Sequence, residues 1–123
     1  MKTEEILNLD CRKKENEIKI QKVLRKIKPL SRYSNEDVIP LEALEKLLIV
    51  FNRKYNVYLQ WITVMYDEKN PIYKGSIKTT DNHVWLGSAY GVTIYELFAK
   101  LCIKIYSDIK SKKISKKENQ NGK

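Results

Sequence analysis

Residues 91–110 read GVTIYELFAKLCIKIYSDIK and hold the clearest helical pattern of the chain. Apolar side chains recur at intervals of three and four residues, which predicts one apolar helix face. The positions are Ile94, Leu97, Phe98, Leu101, Cys102, Ile105 and Ile109. Thr93 and Glu96 have the spacing of a capping box, so the helix is expected to start there. The opposite side, expected to face water, carries Glu96, Lys100, Lys104, Ser107 and Lys110. The preceding strands are the expected cover of the apolar face.

Working back from this helix, the apolar pattern has a period of 2 from Val57 onward. Residues 57–66, VYLQWITVMY, are rich in aromatic and β-branched side chains and predict a first strand. A second strand is predicted over 72–80 and a third over 83–88. A polar turn at 67–71 joins the first two, and Asp81-Asn82 suits a two-residue hairpin between the others.

The predicted hairpin determines which side chains share a face of the sheet. It sets three opposing pairs, which are Thr79 with Val84, Lys78 with Trp85, and Ile77 with Leu86. Alternation then directs four side chains toward the helices, namely Tyr73, Ile77, Val84 and Leu86. The open face receives Lys74, Ser76, Lys78, His83 and Trp85. A tryptophan among lysines can stack a nucleobase or an aromatic ligand. The alternatives are packing of Trp85 beneath the first helix or a dimer partner, or a register shifted by one residue.

A basic helix is predicted near the N-terminus, after a short helical turn over residues 3–9. It runs from an N-cap at Asp10 to about Lys28, because Pro29 disfavours helix in the residue before it. Its apolar stripe lies only in the second half and consists of Ile20, Val23, Leu24 and Ile27. We therefore expect the second half to dock and residues 12–17 to project into solvent.

The next helix follows a polar connector over residues 30–39. Pro40 is expected at the first helical position, where its missing N–H costs nothing. The apolar face of this helix consists of Leu41, Leu44, Leu47, Leu48, Phe51 and Tyr55. Asn56 follows and is expected to close the helix in the left-handed conformation.

Together these elements predict an α+β fold, with helices packed on a three-stranded antiparallel sheet in the order α-α-β-β-β-α. A chain of 123 residues is long enough for one modest core. We expect a basic N-terminal helix over 1–29, a core domain over 30–110 and a disordered basic tail over 111–123.

The net charge of +9 is unevenly distributed. Residues 11–28 carry a net +6 and residues 111–123 a net +4, which leaves −1 for the rest of the chain. A basic helix and a basic tail on a nearly neutral core predict a local surface for a polyanion. A lysine-rich composition is also typical of proteins from AT-rich genomes. The candidate nucleic-acid-binding residues are Arg12, Lys13, Lys14, Lys19, Lys22, Arg25 and Lys26, with Lys74, Lys78 and Trp85 on the sheet.

Catalytic and metal-binding patterns are not found in the sequence. His83 is the one histidine and has no cysteine or acidic pair at ligand spacing. The glycines do not form a phosphate loop, and Cys11 has no recognisable activating base. Cys102 is expected to be an inert buried thiol. We therefore expect no catalytic residue, metal or cofactor. With no apolar membrane span and an acidic N-terminal stretch, we also expect a cytoplasmic protein without a membrane partner.

From residue 40 to 110 the order of elements resembles the double-stranded-RNA-binding domain. The approach Gly87-Ser88-Ala89-Tyr90-Gly91 is similar to the glycine-rich approach to the last helix of that family. The resemblance implies the helix, three-strand, helix architecture. That family binds RNA with a lysine-rich start of the last helix, of which this chain has Ala99-Lys100. The loop expected to enter the minor groove carries Asp67 and Glu68 where phosphate contacts need cations.

Three stretches also resemble small uncharacterised proteins of bacteriophages and prophages in gut bacteria. They are residues 9–14, LDCRKK; residues 27–30, IKPL; and residues 93–100, TIYELFAK. This resemblance implies an accessory phage protein in the host cytoplasm.

Our leading hypothesis is a non-enzymatic protein that binds nucleic acid or a nucleic-acid-handling complex. The alternative is a protein-interaction module, either an inhibitor of a host defence or replication factor or a homo-oligomeric scaffold. Tyr58, Trp61 and Tyr66 are its candidate patch. A third hypothesis is a nucleotide-binding or small-molecule-binding site at an oligomer interface.

Overall fold

The computed structural model describes residues 2–65 and 71–117. It confirms the predicted α+β class, with a three-stranded antiparallel sheet in the order β1-β2-β3 packed against helices. The elements are α1 (Thr3–Leu7), α2 (Lys14–Leu24), a 3-10 turn (Lys28–Leu30), α3 (Leu41–Lys54), β1 (Tyr58–Met65), β2 (Pro71–Lys78), β3 (Trp85–Gly91) and α4 (Ile94–Lys110). The predicted turn residues 67–70 and Tyr66 lie outside the described residues.

Helix α4 starts as the capping box predicts. The Thr93 hydroxyl accepts a hydrogen bond from the Glu96 amide at 3.1 Å, and the Glu96 carboxylate accepts one from the Val92 amide at 2.9 Å. Most of the side chains that were expected to face water on α4 are instead buried or half-buried, because other parts of the chain, including the N-terminal segment, cover them. Glu96 is 6% exposed, and the Ser107 hydroxyl accepts a hydrogen bond from Thr3 of α1 at 2.9 Å. Lys110 is exposed as expected.

Helix α2 is shorter at both ends than its sequence pattern predicts. Its N-cap is Lys13 instead of Asp10, and the helix ends at Leu24 instead of Lys28. Asp10 instead accepts hydrogen bonds from the backbone and side chain of Arg12. Pro29 lies inside the 3-10 turn, so the chain has left α-helical geometry before reaching it. The predicted docking stripe is confirmed by the burial of Ile20, Leu24 and Ile27, with Val23 half-buried.

The two ends of α3 also differ from the prediction. Pro40 is the N-cap in extended conformation, so the helix begins one residue later, at Leu41. Asn56 does not take the left-handed conformation. Its amide donates to the Ser115 carbonyl at 2.8 Å, because the chain after α4 returns to this point. The predicted apolar face is buried at Leu44, Leu47, Leu48 and Phe51.

The segment expected to begin a disordered tail is partly folded. Residues 111–117 pack along the end of α3, where Tyr55 forms an isolated antiparallel bridge with Lys116. Ile114 is 3% exposed and belongs to the hydrophobic core. The tail was expected to be disordered because of its charge. Its first part is held in place by Ile114 in the core and by backbone hydrogen bonds to the end of α3. Residues 118–123 lie outside the described residues.

The hairpin between β2 and β3 is only partly as predicted. Lys78 lies opposite Trp85, and the Thr79 amide donates to the Val84 carbonyl at 2.9 Å. The turn is longer than two residues, and His83 within it has a left-handed φ of 54°. Val84 precedes the strand and is 52% exposed, so its predicted inward position is wrong.

A β-bulge then changes the register of the two strands. Ile77 lies opposite Gly87, where the two-residue hairpin predicts Leu86. One extra residue on β3 reverses the face to which every later side chain of the strand points. Gly87 has a φ of 141°, a conformation that favours glycine.

Candidate nucleic-acid interface

The face of the sheet that points away from α4 carries a regular set of polar and aromatic side chains. We call it the open face. Helix α4 packs on the opposite face, where a Cβ on Gly75 would lie 2.8 Å from a methyl group of Leu101. The pairing registers place three rows across the open face: Tyr58, Lys78 and Trp85; Gln60, Ser76 and Ser88; and Lys74 with Tyr90.

Two lysine–aromatic pairs stand at the two ends of β3. Trp85 is 60% exposed and Tyr90 is 48% exposed, so both rings present area to solvent. Lys78 lies opposite Trp85, and Lys74 lies opposite Tyr90 with its ammonium 5.7 Å from the ring centroid. Lys74, Lys78 and Trp85 therefore share the open face as the sequence predicts.

Tyr90 is a member of this surface that sequence reasoning missed. It follows Trp85 by five residues, so strict alternation places the two rings on opposite faces. The bulge before Gly87 adds one residue and brings both rings to the same face. The glycine at position 87 is the sequence signal of the bulge, since isolated glycines in strands mark such positions.

The middle and the far corner of the open face are held by side-chain hydrogen bonds. The Ser76 and Ser88 hydroxyls lie 3.2 Å apart across β2 and β3. The Tyr58 hydroxyl lies 3.3 Å from Nδ1 of His83, and the two rings meet edge to face. These contacts order the surface between and beside the two lysine–aromatic pairs.

The seven predicted basic residues of the N-terminal segment divide into two groups. Arg12 is ion-paired with Asp10 at 3.0 Å, and its hydrogen bonds hold the pKa of that carboxyl at about 2, well below its usual range. Arg25 donates to the backbone carbonyl of Asp37. The other five are exposed and have no ion-pair partner among the described residues: Lys13, Lys14, Lys19, Lys22 and Lys26.

A buried lysine joins the N-terminal segment to the end of β3. The Lys100 ammonium is hydrogen-bonded to the Leu9 carbonyl at 2.8 Å and to the Tyr90 carbonyl at 3.3 Å. It also pairs with the Glu96 carboxylate at 2.8 Å, and both side chains are nearly fully buried. The sequence pattern predicts that Glu96 and Lys100 both face water. A glutamate four residues before a lysine is nevertheless the usual signal of an ion pair on a helix.

The two cysteines have environments that disfavour the thiolate. Burial, together with the neighbouring Glu96 carboxylate, raises the pKa of Cys11 to about 12. Complete burial raises the pKa of Cys102, which is a core residue as predicted. Within residues 2–65 and 71–117, no group of three histidine, cysteine or acidic side chains is placed to hold a metal ion.

None of the helices in the described parts of the chain is long and apolar enough to cross a lipid bilayer. No family model, curated protein or solved structure matches the chain.

Proposed function

We propose that this protein binds single-stranded nucleic acid on the open face of its sheet, without catalysis. The observation that carries the proposal is the pair of lysine–aromatic pairings across β2 and β3, with Lys78 opposite Trp85 and Lys74 opposite Tyr90. Exposed aromatic rings stack bases of any sequence, at about 1–3 kcal/mol per base, and neighbouring cations hold the phosphates. The two pairs are four residues apart on β2, about 13 Å, so neighbouring parts of one strand can reach both.

The exposed lysines of α2 and its lead-in lie on the helical side of the molecule and add a long-range attraction for a strand. Contacts with phosphates release counterions, so such binding weakens steeply as salt rises. This attraction is independent of sequence, and it complements the stacking on the sheet. The basic segment thus brings a strand to the protein, and the aromatic rings hold it.

A single strand fits this surface better than a duplex. Bases in a duplex are stacked on one another, so their faces are hidden from Trp85 and Tyr90. The mode of the double-stranded-RNA-binding domain needs exposed cations at the start of the last helix. Here Lys100 is 4% exposed and neutralised by Glu96, which removes it from that role.

The test is a titration of labelled oligonucleotides monitored by fluorescence anisotropy. We expect single strands to bind at about 50 mM salt, duplexes to bind more weakly, and affinity to fall as salt rises. Lys78→Gln should weaken binding and reduce the salt slope by about 0.7, the value for one phosphate contact on a single strand.

The matched control is Lys110→Gln, which removes the same charge from the end of α4. An equal loss in both variants would show general attraction to a basic protein. Absence of single-strand binding at low salt would overturn the proposal.

The protein-interaction alternative retains one structural argument. Trp61 is 45% exposed on the face of the sheet that carries α4, and exposed tryptophans are common in protein interfaces. Light scattering and capture of partners from a host lysate test this alternative. A monomer that captures no protein and binds single strands would reject it. A role as a bacteriophage accessory protein stays a prediction from the sequence resemblance.

A further inference from the structure

A cleft of about 810 Å³ lies on the helical side of the molecule, apart from the open face. Its walls are α2, the connector at residues 35–38 and the start of α4. Clefts of this volume are typical of small-ligand sites. The cleft includes two of the most exposed aliphatic side chains of the described residues, Ile18 at 51% and Val38 at 69%.

The cleft is lined by charged side chains of both signs. Lys14 and Lys22 of α2 line one side, and Glu36 and Asp37 of the connector line the other. Glu17 of α2, Arg12 before that helix, Arg25 after it and Glu96 of α4 also line the cleft, so its lining has as many acidic as basic side chains. An occupant that matches this arrangement has an anionic part, a flat apolar part and a hydrogen-bond donor at its far end.

The lining of the cleft is close in the chain to the end of β3. Val92 lines the cleft and follows Tyr90 by two residues. The Lys100 ammonium bonds both the Tyr90 and Leu9 carbonyls, and Cys11 and Arg12, which follow Leu9, line the same cleft. The Lys100 ammonium therefore links the end of the open face to the N-terminal segment that lines the cleft.

We infer that the cleft is a nucleotide subsite for the same single strand, an inference that rests on the proposed function. The base enters between Ile18 and Val38, and its phosphate lies toward Lys14 and Lys22. Carboxylates accept hydrogen bonds from the exocyclic amino groups of bases, cytosine among them. Glu36 and Asp37 therefore favour a base that carries an amino group over thymine.

The experiment compares oligo(dC) with oligo(dT) at about four and about sixteen nucleotides, the range of site sizes on comparable single-strand-binding folds. For the full chain we expect longer oligo(dC) to bind more tightly than longer oligo(dT). Ile18→Gln should weaken longer oligo(dC) by about fivefold or more, the loss of one base contact, and leave the short strands unchanged.

Ile49→Gln is the matched control, since Ile49 is also 51% exposed on a helix but lies outside the cleft. Val38→Gln, in the connector, provides a second cleft variant should the first destabilise α2. Equal affinities for Ile18→Gln, Val38→Gln and Ile49→Gln would overturn the subsite, as would equal binding of the two long strands. In either case binding of the short strands would leave the proposed function standing. Absence of binding at both lengths would overturn both.

Discussion

The two tryptophans of the chain lie on opposite faces of one sheet, with similar exposure and different neighbours. Trp61 is 45% exposed and meets Tyr73 and Phe98 with ring centroids 6.4 and 6.2 Å away. Trp85 is 60% exposed and stands beside Lys78. The first ring closes the edge of the core against α4, whereas the second has no such role. The exposed fraction of a side chain therefore does not identify a binding residue by itself. The side chains around it have to be considered as well.

The largest loss of stability is expected when the buried ion pair of Lys100 with Glu96 is broken. Lys100→Met leaves the Glu96 carboxylate buried without its cation, which costs about 3–5 kcal/mol of folding free energy. Urea unfolding monitored by circular dichroism measures this change. The paired variant Glu96→Gln with Lys100→Met should recover much of the loss, because it leaves no unpaired charge. An equal loss in both variants would contradict the ion-pair explanation.

Exchanging either tryptophan for alanine should separate stability from binding. Trp61→Ala removes contacts with Tyr73 and Phe98, and we expect it to cost about 2 kcal/mol of stability, less than a fully buried ring. Trp85→Ala should change stability by about 0.5 kcal/mol or less and cost about 1–3 kcal/mol of single-strand affinity.

Both tryptophan variants need the same two measurements, urea unfolding and oligonucleotide titration. We expect Trp61→Ala to lose mainly stability in urea unfolding, and Trp85→Ala to lose mainly affinity in the oligonucleotide titration. If Trp61→Ala loses more affinity than Trp85→Ala while remaining folded, the functional face has been assigned to the wrong side of the sheet.

Gly87→Ala should disturb both faces moderately. A side chain at a φ of 141° is strained, and its Cβ would lie 3.1 Å from Cε of Lys104. We expect a loss of about 1–3 kcal/mol of stability and weaker binding, because the bulge holds Trp85 and Tyr90 on one face. Unchanged binding by a folded Gly87→Ala variant would contradict the role of the bulge.

The smallest effect concerns the ion pair of Asp10 with Arg12. The pKa of Asp10 is lowered from 3.8 to about 2 by hydrogen bonds from Arg12. A lowered carboxyl pKa adds stability above the unfolded value, and that contribution is lost as pH falls from about 4 toward 2. NMR titration should find the Asp10 midpoint near 2 in the wild type. In Arg12→Gln, the midpoint should return toward 3.8; an unchanged midpoint would contradict this cause.

The sequence predicts the position of a helix or strand well where a periodic apolar pattern begins at a clear local signal, such as a capping box or a change of period. The apolar spacing after Thr93 and its capping box place α4 correctly, and the change of period at Val57 places β1 within a residue. The predicted start of α2 was wrong because Asp10 accepts a hydrogen bond from Arg12 instead of capping the helix. Asp10 can either cap a helix or bond a neighbouring arginine, and the sequence does not say which of the two occurs.

The candidate site was foreseen in part. Lys74, Lys78 and Trp85 share a face because alternation along a short strand is a local property. Tyr90 was missed because the bulge depends on the fit of β3 against α4, where Gly87 lies beside Lys104. Arg12 and Arg25 were assigned to nucleic acid, but Asp10 and the Asp37 carbonyl engage them.

The pattern of apolar residues is sufficient to predict the α+β class, the three strands and the last helix, because burial of apolar surface is the main driving force of folding. Which charged side chains remain available is a different matter, since it depends on which segments of the chain meet. Helical spacing places both Lys100 of α4 and Lys14 of α2 away from the apolar face of their helices, yet one is buried and the other exposed. The packing of the N-terminal segment against α4 buries the first, and the same packing forms the cleft beside the second.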